Sequence, residues 1–347
     1  MEKWRLETPI MLTFFTRHET LKRVFEIIKE VKPRMLFLVG DGPRKTVPGD
    51  KEQIELCKKI LEDIPWECEV HRYYAEENRG ILINANEGMK RAFEKVDKLI
   101  FLEDDMLCSQ SFFWFCQELL KKYENDLRVQ LICGQNIEEV TERVTADYFF
   151  AHKISSGCVG IWKRTYEGWN YRYPVFEDVY NKQLLESAVP KELRKAKYLK
   201  DAERDRDEFL KNPMAKSIET CAMVNSYQYN TLNIIPKYNM SVSIGMSCKA
   251  AHTADKIEKM PKVIQRLFSL KVYDYRFPLK YSEFVICDKE YDKMCWRILG
   301  TGHPLLRFKR NMEKGLRIMK YGGLKELGKK LNGYMKKKQS ENSDING

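Results

Sequence analysis

A chain of 347 residues with 43% hydrophobic and 12% aromatic content holds enough apolar material for one large buried core or two modest ones, which excludes a disordered or fibrous polypeptide. The net charge of +11 is unevenly placed: residues 304–338 carry twelve Lys and Arg against two acids, Glu313 and Glu326, and residues 1–303 carry only +3. A nucleic-acid enzyme spreads positive charge over its working face, so no nucleic-acid partner is expected here.

No window reaches the ~18 uninterrupted apolar residues of a membrane span, and Met1-Glu2-Lys3-Trp4-Arg5 does not open a signal peptide. The ten cysteines contain no Cys-x-x-Cys pairing. They read as small core hydrophobes in a reducing compartment, which predicts a cytoplasmic protein.

In chain order, β-rich runs alternate with helical ones, the pattern of an α/β sheet. Residues 9–15 read as a buried strand, followed by the turn Thr16-Arg17-His18-Glu19. A helix over 20–31 has apolar positions 21, 24, 25, 28 and 31. A second strand over 35–39 closes on Gly40-Asp41-Gly42-Pro43. A helix over 51–64, a strand over 67–74 and a helix over 84–96 come next. The fourth strand, 98–102, ends directly in Glu103-Asp104-Asp105. A helix over 111–123 and a strand over 129–134 complete the first half. Beyond it, 145–178 reads as irregular, 185–211 as a charged helical stretch, 217–230 as a helix and 232–236 as a strand.

In open α/β sheets ligands bind beyond the carboxyl ends of strands, near the switch in strand order. Thr16-Arg17, Asp41 and Glu103-Asp104-Asp105 all follow strands and should gather on one edge. Adjacent half-buried carboxylates repel one another and lose hydration unless a cation neutralises them. A cluster of oxygen ligands suits Mg²⁺ or Mn²⁺ bridging to a diphosphate. The other reading is a solvated acidic turn, against which the flanking Phe101-Leu102 and Phe112-Phe113-Trp114-Phe115 argue.

Leu102-Glu103-Asp104-Asp105-Met106 with Ser111-Phe112-Phe113 resembles the acidic metal motif of glycosyltransferase family 2-like enzymes, and is similar to that of N-acetylglucosaminyltransferase I. Phe15-Thr16-Arg17-His18-Glu19, Asp41-Gly42-Pro43-Arg44, Glu77-Asn78-Arg79-Gly80, the segment from Gly245 to His252-Thr253, and Phe277-Pro278-Leu279-Lys280 resemble further motifs of the group, in the same order. The resemblance implies a GT-A fold, an α/β domain with a Rossmann-like mixed sheet and helices on both faces. It would span 1–300, with a nucleotide-binding half at about 1–135 and an acceptor half at about 136–300.

The same resemblance implies metal-dependent, inverting transfer from a nucleotide-sugar donor, UDP-sugar favoured, to a glycan or lipid-linked acceptor. Asp105 would be the direct metal ligand, with Glu103 and Asp104 on the ribose or donor-sugar side. Asp41 would bind the nucleobase, and Thr16, Arg17 and Arg79 would line the donor site. His252 would return to the diphosphate as a second metal ligand or a hydrogen-bond donor; an ordinary surface histidine is the other reading. Inverting transfer needs a carboxylate to take the acceptor's proton. Ungapped alignment places it on Glu219, with Asp178 in reserve. Cys158-Val159-Gly160-Ile161-Trp162 departs from the group's Gly-Trp-Ala-Thr-Trp, so no acceptor identity carries over. A nucleotidyltransferase using the same acids, and a catalytically silent membrane-surface scaffold, are the competing readings. The first would normally show a glycine-rich phosphate loop after the first strand, and Phe14-Phe15-Thr16-Arg17-His18 has no glycine.

The tail, 301–347, reads as a basic amphipathic helical extension with a disordered end. Leu305, Phe308, Met312, Leu316 and Met319 fall three and four residues apart, with Lys and Arg around them. Such helices lie on anionic membrane surfaces, here through 304–338, or pack on the catalytic body with the charged face solvated. The first alternative predicts peripheral attachment to the inner face of a membrane.

Overall fold

The computed structural model describes residues 5–155, 157–195, 198–211, 218–247 and 257–343. The elements of the first half are β1 (Ile10–Phe14), α1 (His18–Val31), β2 (Met35–Gly40), α2 (Asp50–Glu62), β3 (Glu69–Tyr74), α3 (Ile81–Phe93), β4 (Lys98–Glu103), β5 (Met106–Cys108), α4 (Gln110–Lys122) and β6 (Val129–Cys133). The second half adds β7 (Tyr148–Ala151), β8 (Cys158–Trp162), α5 (Lys163–Gly168), α6 (Val179–Ala188), α7 (Lys191–Lys195), α8 (Tyr198–Lys211), α9 (Ile218–Gln228), β9 (Leu232–Pro236), β10 (Ser241–Ser243), α10 (Lys262–Leu267), α11 (Lys289–Leu299) and α12 (Pro304–Ser343).

Eight strands form one mixed sheet in the order β3-β2-β1-β4-β8-β6-β9-β7. β3, β2, β1 and β4 run parallel, β8 is antiparallel to both β4 and β6, β9 is parallel to β6, and β7 is antiparallel to β9. Strands such as Ile-Met-Leu-Thr-Phe are buried at every position, as a sheet covered on both faces requires. Successive side chains alternate between two cores. Ile10, Leu12, Leu36, Leu38, Ile100 and Leu102 pack with α1, α2 and α4. Met11, Phe37, Val39, Leu99 and Phe101 pack with α3, α9 and α11. Helices therefore cover both faces, and the fold is the mixed α/β sandwich that the alternation of elements predicts.

Chain order reverses between β1 and β4: β2 and β3 extend the sheet one way and the later strands the other. That junction is the switch point where a doubly wound sheet leaves a crevice. Glu103 is the last residue of β4, and Asp104 and Asp105 follow it.

The structure corrects the sequence reading in three places. Residues 145–178 hold β7, β8 and α5 rather than irregular chain; Tyr-Phe-Phe-Ala and Cys-Val-Gly-Ile-Trp are short and buried throughout, so they show no alternation. The stretch 185–211 is three helices, broken where Pro190 follows α6. β5 and β10, invisible as three-residue runs, pair with each other in a separate antiparallel ladder. Among the described residues no helix is long and apolar enough to cross a membrane.

Candidate active site

Thr13 lies opposite Glu103 in the parallel ladder of β1 and β4, so the loop after β1 and the acidic triplet emerge side by side. The backbone N–H of Phe15 donates to Asp104 Oδ2 at 3.0 Å. Arg17 donates through Nη1 to Asp104 Oδ1 at 3.3 Å and, more closely, to Asp105 Oδ2. One guanidinium thus faces two of three consecutive carboxylates. Burial pushes Glu103 up to about 8, the Asp105 and Asp104 charges add to this, Arg17 opposes it, and Glu219 raises it further. Burial also raises Asp104 to about 7; Arg17 and the Phe15 N–H oppose the rise, and Asp105 adds to it. Burial is the main cause of both shifts, and Arg17 offsets it only in part.

Asp41 follows β2 and organises the opposite wall. Its Oδ1 accepts from the N–H groups of Gly42 and Arg79, and its Oδ2 from Asn78 Nδ2 and the N–H of Gly80, all within 2.8–2.9 Å. Burial raises its pKa, against these backbone donors. A Cβ on Gly42 would stand 2.4 Å from the Glu77 backbone, so only glycine lets the two loops close up. Arg44 lies 5.2 Å over the Phe15 ring and is held by a two-pronged bond to Asp50. Between these walls is a cavity of about 90 Å³, lined by Phe15, Arg17, Asp41, Arg44, Asn78, Asn84, Glu103 and Asp104 among others.

A second cavity, about 160 Å³ and mostly apolar, shares Glu103 and Ile81 with the first. Glu219, in the first turn of α9, lines it together with Trp169, Phe101 and Ile154. The Trp169 indole N–H is buried and has no partner among the described residues.

The late chain returns to the triplet through the β5–β10 ladder. The Ile244 N–H donates to the Asp105 carbonyl at 2.8 Å, and Ser243 Oγ lies 3.4 Å from Asp105 Oδ2. A Cβ on Gly245 would stand 2.0 Å from Asp105 Oδ2, so any larger residue there displaces that carboxylate. His252 itself lies outside the described residues.

Of the residues singled out from sequence, Arg17, Asp41, Glu103, Asp104, Asp105 and Glu219 come together. Thr16 sits half-buried in the same loop as Arg17. Two placements differ from expectation. Arg79 gives its backbone N–H to Asp41 and, an exposed residue, borders a small neighbouring cavity with Tyr73, Tyr74 and Arg91 rather than the main one. Asp178 is the exposed N-cap of α6, accepting from the Asn181 N–H at 2.7 Å, and it lines neither cavity. Capping accounts for that carboxylate. Trp162 is core: its indole N–H donates to the Leu120 carbonyl. Sequence reasoning gave no role to Arg44, Asn78 and Asn84, although the first two stand inside the quoted motifs.

No family model matches the chain, and no curated protein matches it in sequence. Solved structures that align with it include an inositol-1-phosphate CTP transferase from T. maritima (13% identity, 48% of this chain and 74% of that one, TM-score 0.28). Mouse xyloside xylosyltransferase 1 aligns at 11% identity over 51% of this chain and 74% of that one, TM-score 0.29. The bifunctional glycosyltransferase WbbM aligns at 10% identity over 88% of this chain and 51% of that one, TM-score 0.29. These likenesses, to enzymes of two transfer chemistries, decide nothing about this chain's reaction.

Proposed function

We propose that the chain is a metal-dependent, inverting glycosyltransferase of GT-A type. It would move a sugar from a nucleoside-diphosphate donor, UDP-sugar favoured, to a hydroxyl of a glycan or lipid-linked acceptor. The supporting observation is the crevice between β1 and β4, where Asp104 and Asp105 pair with one guanidinium and Glu103 lines the same slot as Phe15, Arg44, Asn78 and Asn84. A hard divalent cation would be held here in one particular way. Among the described residues no three side chains form a ready metal cage, but Mg²⁺-type sites use one or two carboxylates and complete the shell with substrate phosphates. Asp105 would hold the cation, which when bound would neutralise charge building on the leaving diphosphate.

The remaining work falls to the chain's own groups. Phe15 and Arg44 would enclose the nucleoside, with Asn78 and Asn84 supplying polar contacts. Asp41 already accepts four bonds, so its part would be to hold the wall in shape; direct contact with a base requires exchanging one of them. Arg17 would turn from the carboxylates to the phosphates, leaving Asp105 free for the cation. Glu219, across the shared wall at Glu103, would accept the proton of the acceptor hydroxyl as its oxygen attacks the anomeric carbon. The bond from that carbon to the diphosphate oxygen breaks, and the nucleoside diphosphate leaves with the electron pair. The halves 1–135 and 136–300 would serve donor and acceptor on one continuous sheet.

Product analysis tests this reading. Incubation with Mn²⁺ and a panel of nucleotide-sugars should release nucleoside diphosphate and transfer the sugar to an acceptor or to water. Formation of pyrophosphate from a nucleoside triphosphate and a sugar phosphate would instead assign nucleotidyl transfer.

A further inference from the structure

The helix α12 runs from Pro304 to Ser343, with non-helical dihedrals at Gly323 (φ 78°). It is docked on the body by its polar side. Arg310 donates to the Arg297 carbonyl, Arg317 to the Glu258 carbonyl, and Glu313 accepts from both Arg317 and the Lys262 N–H. Glu326 pairs with Lys259 at 2.7 Å. Ile318 is the apolar side chain of this stretch that is buried.

The apolar stripe is on the outside. Leu305 is 79% exposed, Phe308 63%, Met312 53%, Leu316 59% and Met319 42%. Their spacing of three and four residues puts them on one face, opposite Arg310 and Arg317 by helical phase. A helix that merely covered the body would turn this stripe inward, since burying each such side chain is favourable.

Charge completes the pattern. Both acids of the stretch, Glu313 and Glu326, are engaged with the body. Lys309 and Lys320 flank the stripe by helical phase and are exposed; Arg307, Lys314 and Lys325 are exposed elsewhere on the helix. The outward surface is therefore apolar and cationic, with both carboxylates between 304 and 326 paired. After Gly323 the sequence continues with Leu324, Leu327, Leu331 and Tyr334 among further lysines.

We propose that the outer face of α12 docks on an anionic lipid bilayer. The stripe would enter the acyl boundary while the lysines contact the headgroups. A second copy of this chain offers the same positive charge and is disfavoured as the occupant. The inference does not depend on the reaction the crevice performs.

Co-sedimentation of the full chain with vesicles tests it. Binding is expected to phosphatidylglycerol-containing vesicles at low salt, falling as salt rises, with little binding to pure phosphatidylcholine. The double variant Phe308→Gln, Leu316→Gln should cut partitioning about a hundredfold, at roughly tenfold per side chain withdrawn from lipid. Lys309→Glu with Lys320→Glu should weaken it as well. All four side chains are exposed, so thermal melting should stay at the wild-type value and confirm that the variants fold. Failure of the full chain to bind anionic vesicles at low salt overturns the proposal, as does wild-type binding by the Gln variant. A concentration-dependent dimer broken by Phe308→Gln would assign the face to a second copy.

Discussion

Asp105→Asn is expected to abolish sugar transfer and to remove the metal-dependent part of nucleotide binding, while leaving the fold intact. The substitution keeps the size of the side chain and one oxygen for Ser243 and Arg17. It removes the carboxylate's charge at the point where the returning segment holds the Asp105 backbone carbonyl through Ile244 and leaves room for the side chain at Gly245. Metal stabilisation of a leaving diphosphate is worth several kcal/mol, so the rate should fall by about 10³-fold or more. Initial-rate assays and calorimetric titration of nucleotide with Mn²⁺ check both parts. Equal nucleotide affinity in variant and wild type, both with metal, would contradict the role given to the triplet.

Glu219→Gln should lower transfer by ~10²–10⁴-fold, the usual contribution of a general base, with donor affinity nearly unchanged. Glu219 lines the cavity that Glu103 shares with the nucleotide slot, and its charge is close enough to raise Glu103. It sits in the first turn of α9. Glu219→Asp should retain more activity than Gln, because a carboxylate remains. Single-turnover rates at saturating donor separate the chemical step from binding. A Gln variant turning over at the wild-type rate would remove Glu219 from the mechanism. Asp178→Asn, by contrast, should cost only helix capping.

The parts of the site that were legible in the sequence are those carried by strands buried on both faces. β1, β2 and β4 read as continuous apolar runs, and whatever polar residue ends such a run must lie at the sheet's edge. Arg17, Asp41 and the triplet were visible for that reason. The pairing of β5 with β10 was not legible, because three-residue strands carry no period and their partners lie far apart in sequence. That ladder is what brings Gly245 onto Asp105. Asp41 was legible as a residue at the sheet's edge, but its four internal bonds depend on how the Glu77-Asn78-Arg79-Gly80 loop folds back over it. In the tail the stripe was legible and its direction was not. That direction is set by Glu258, Lys259 and Lys262, which take up Arg317, Glu326 and Glu313 from the body side.

Calorimetric titration of nucleoside diphosphates into the full chain, once with Mn²⁺ and once with a chelator, tests the central claim most directly. Charges ~4 Å apart near a protein surface interact by a few kcal/mol. One nucleoside diphosphate, UDP in the favoured case, should therefore bind about a hundredfold more tightly with Mn²⁺ than without it. Identical affinity in the two conditions, or no binding of any nucleoside diphosphate in either, would contradict the account of Glu103, Asp104 and Asp105 as a metal-assisted donor site.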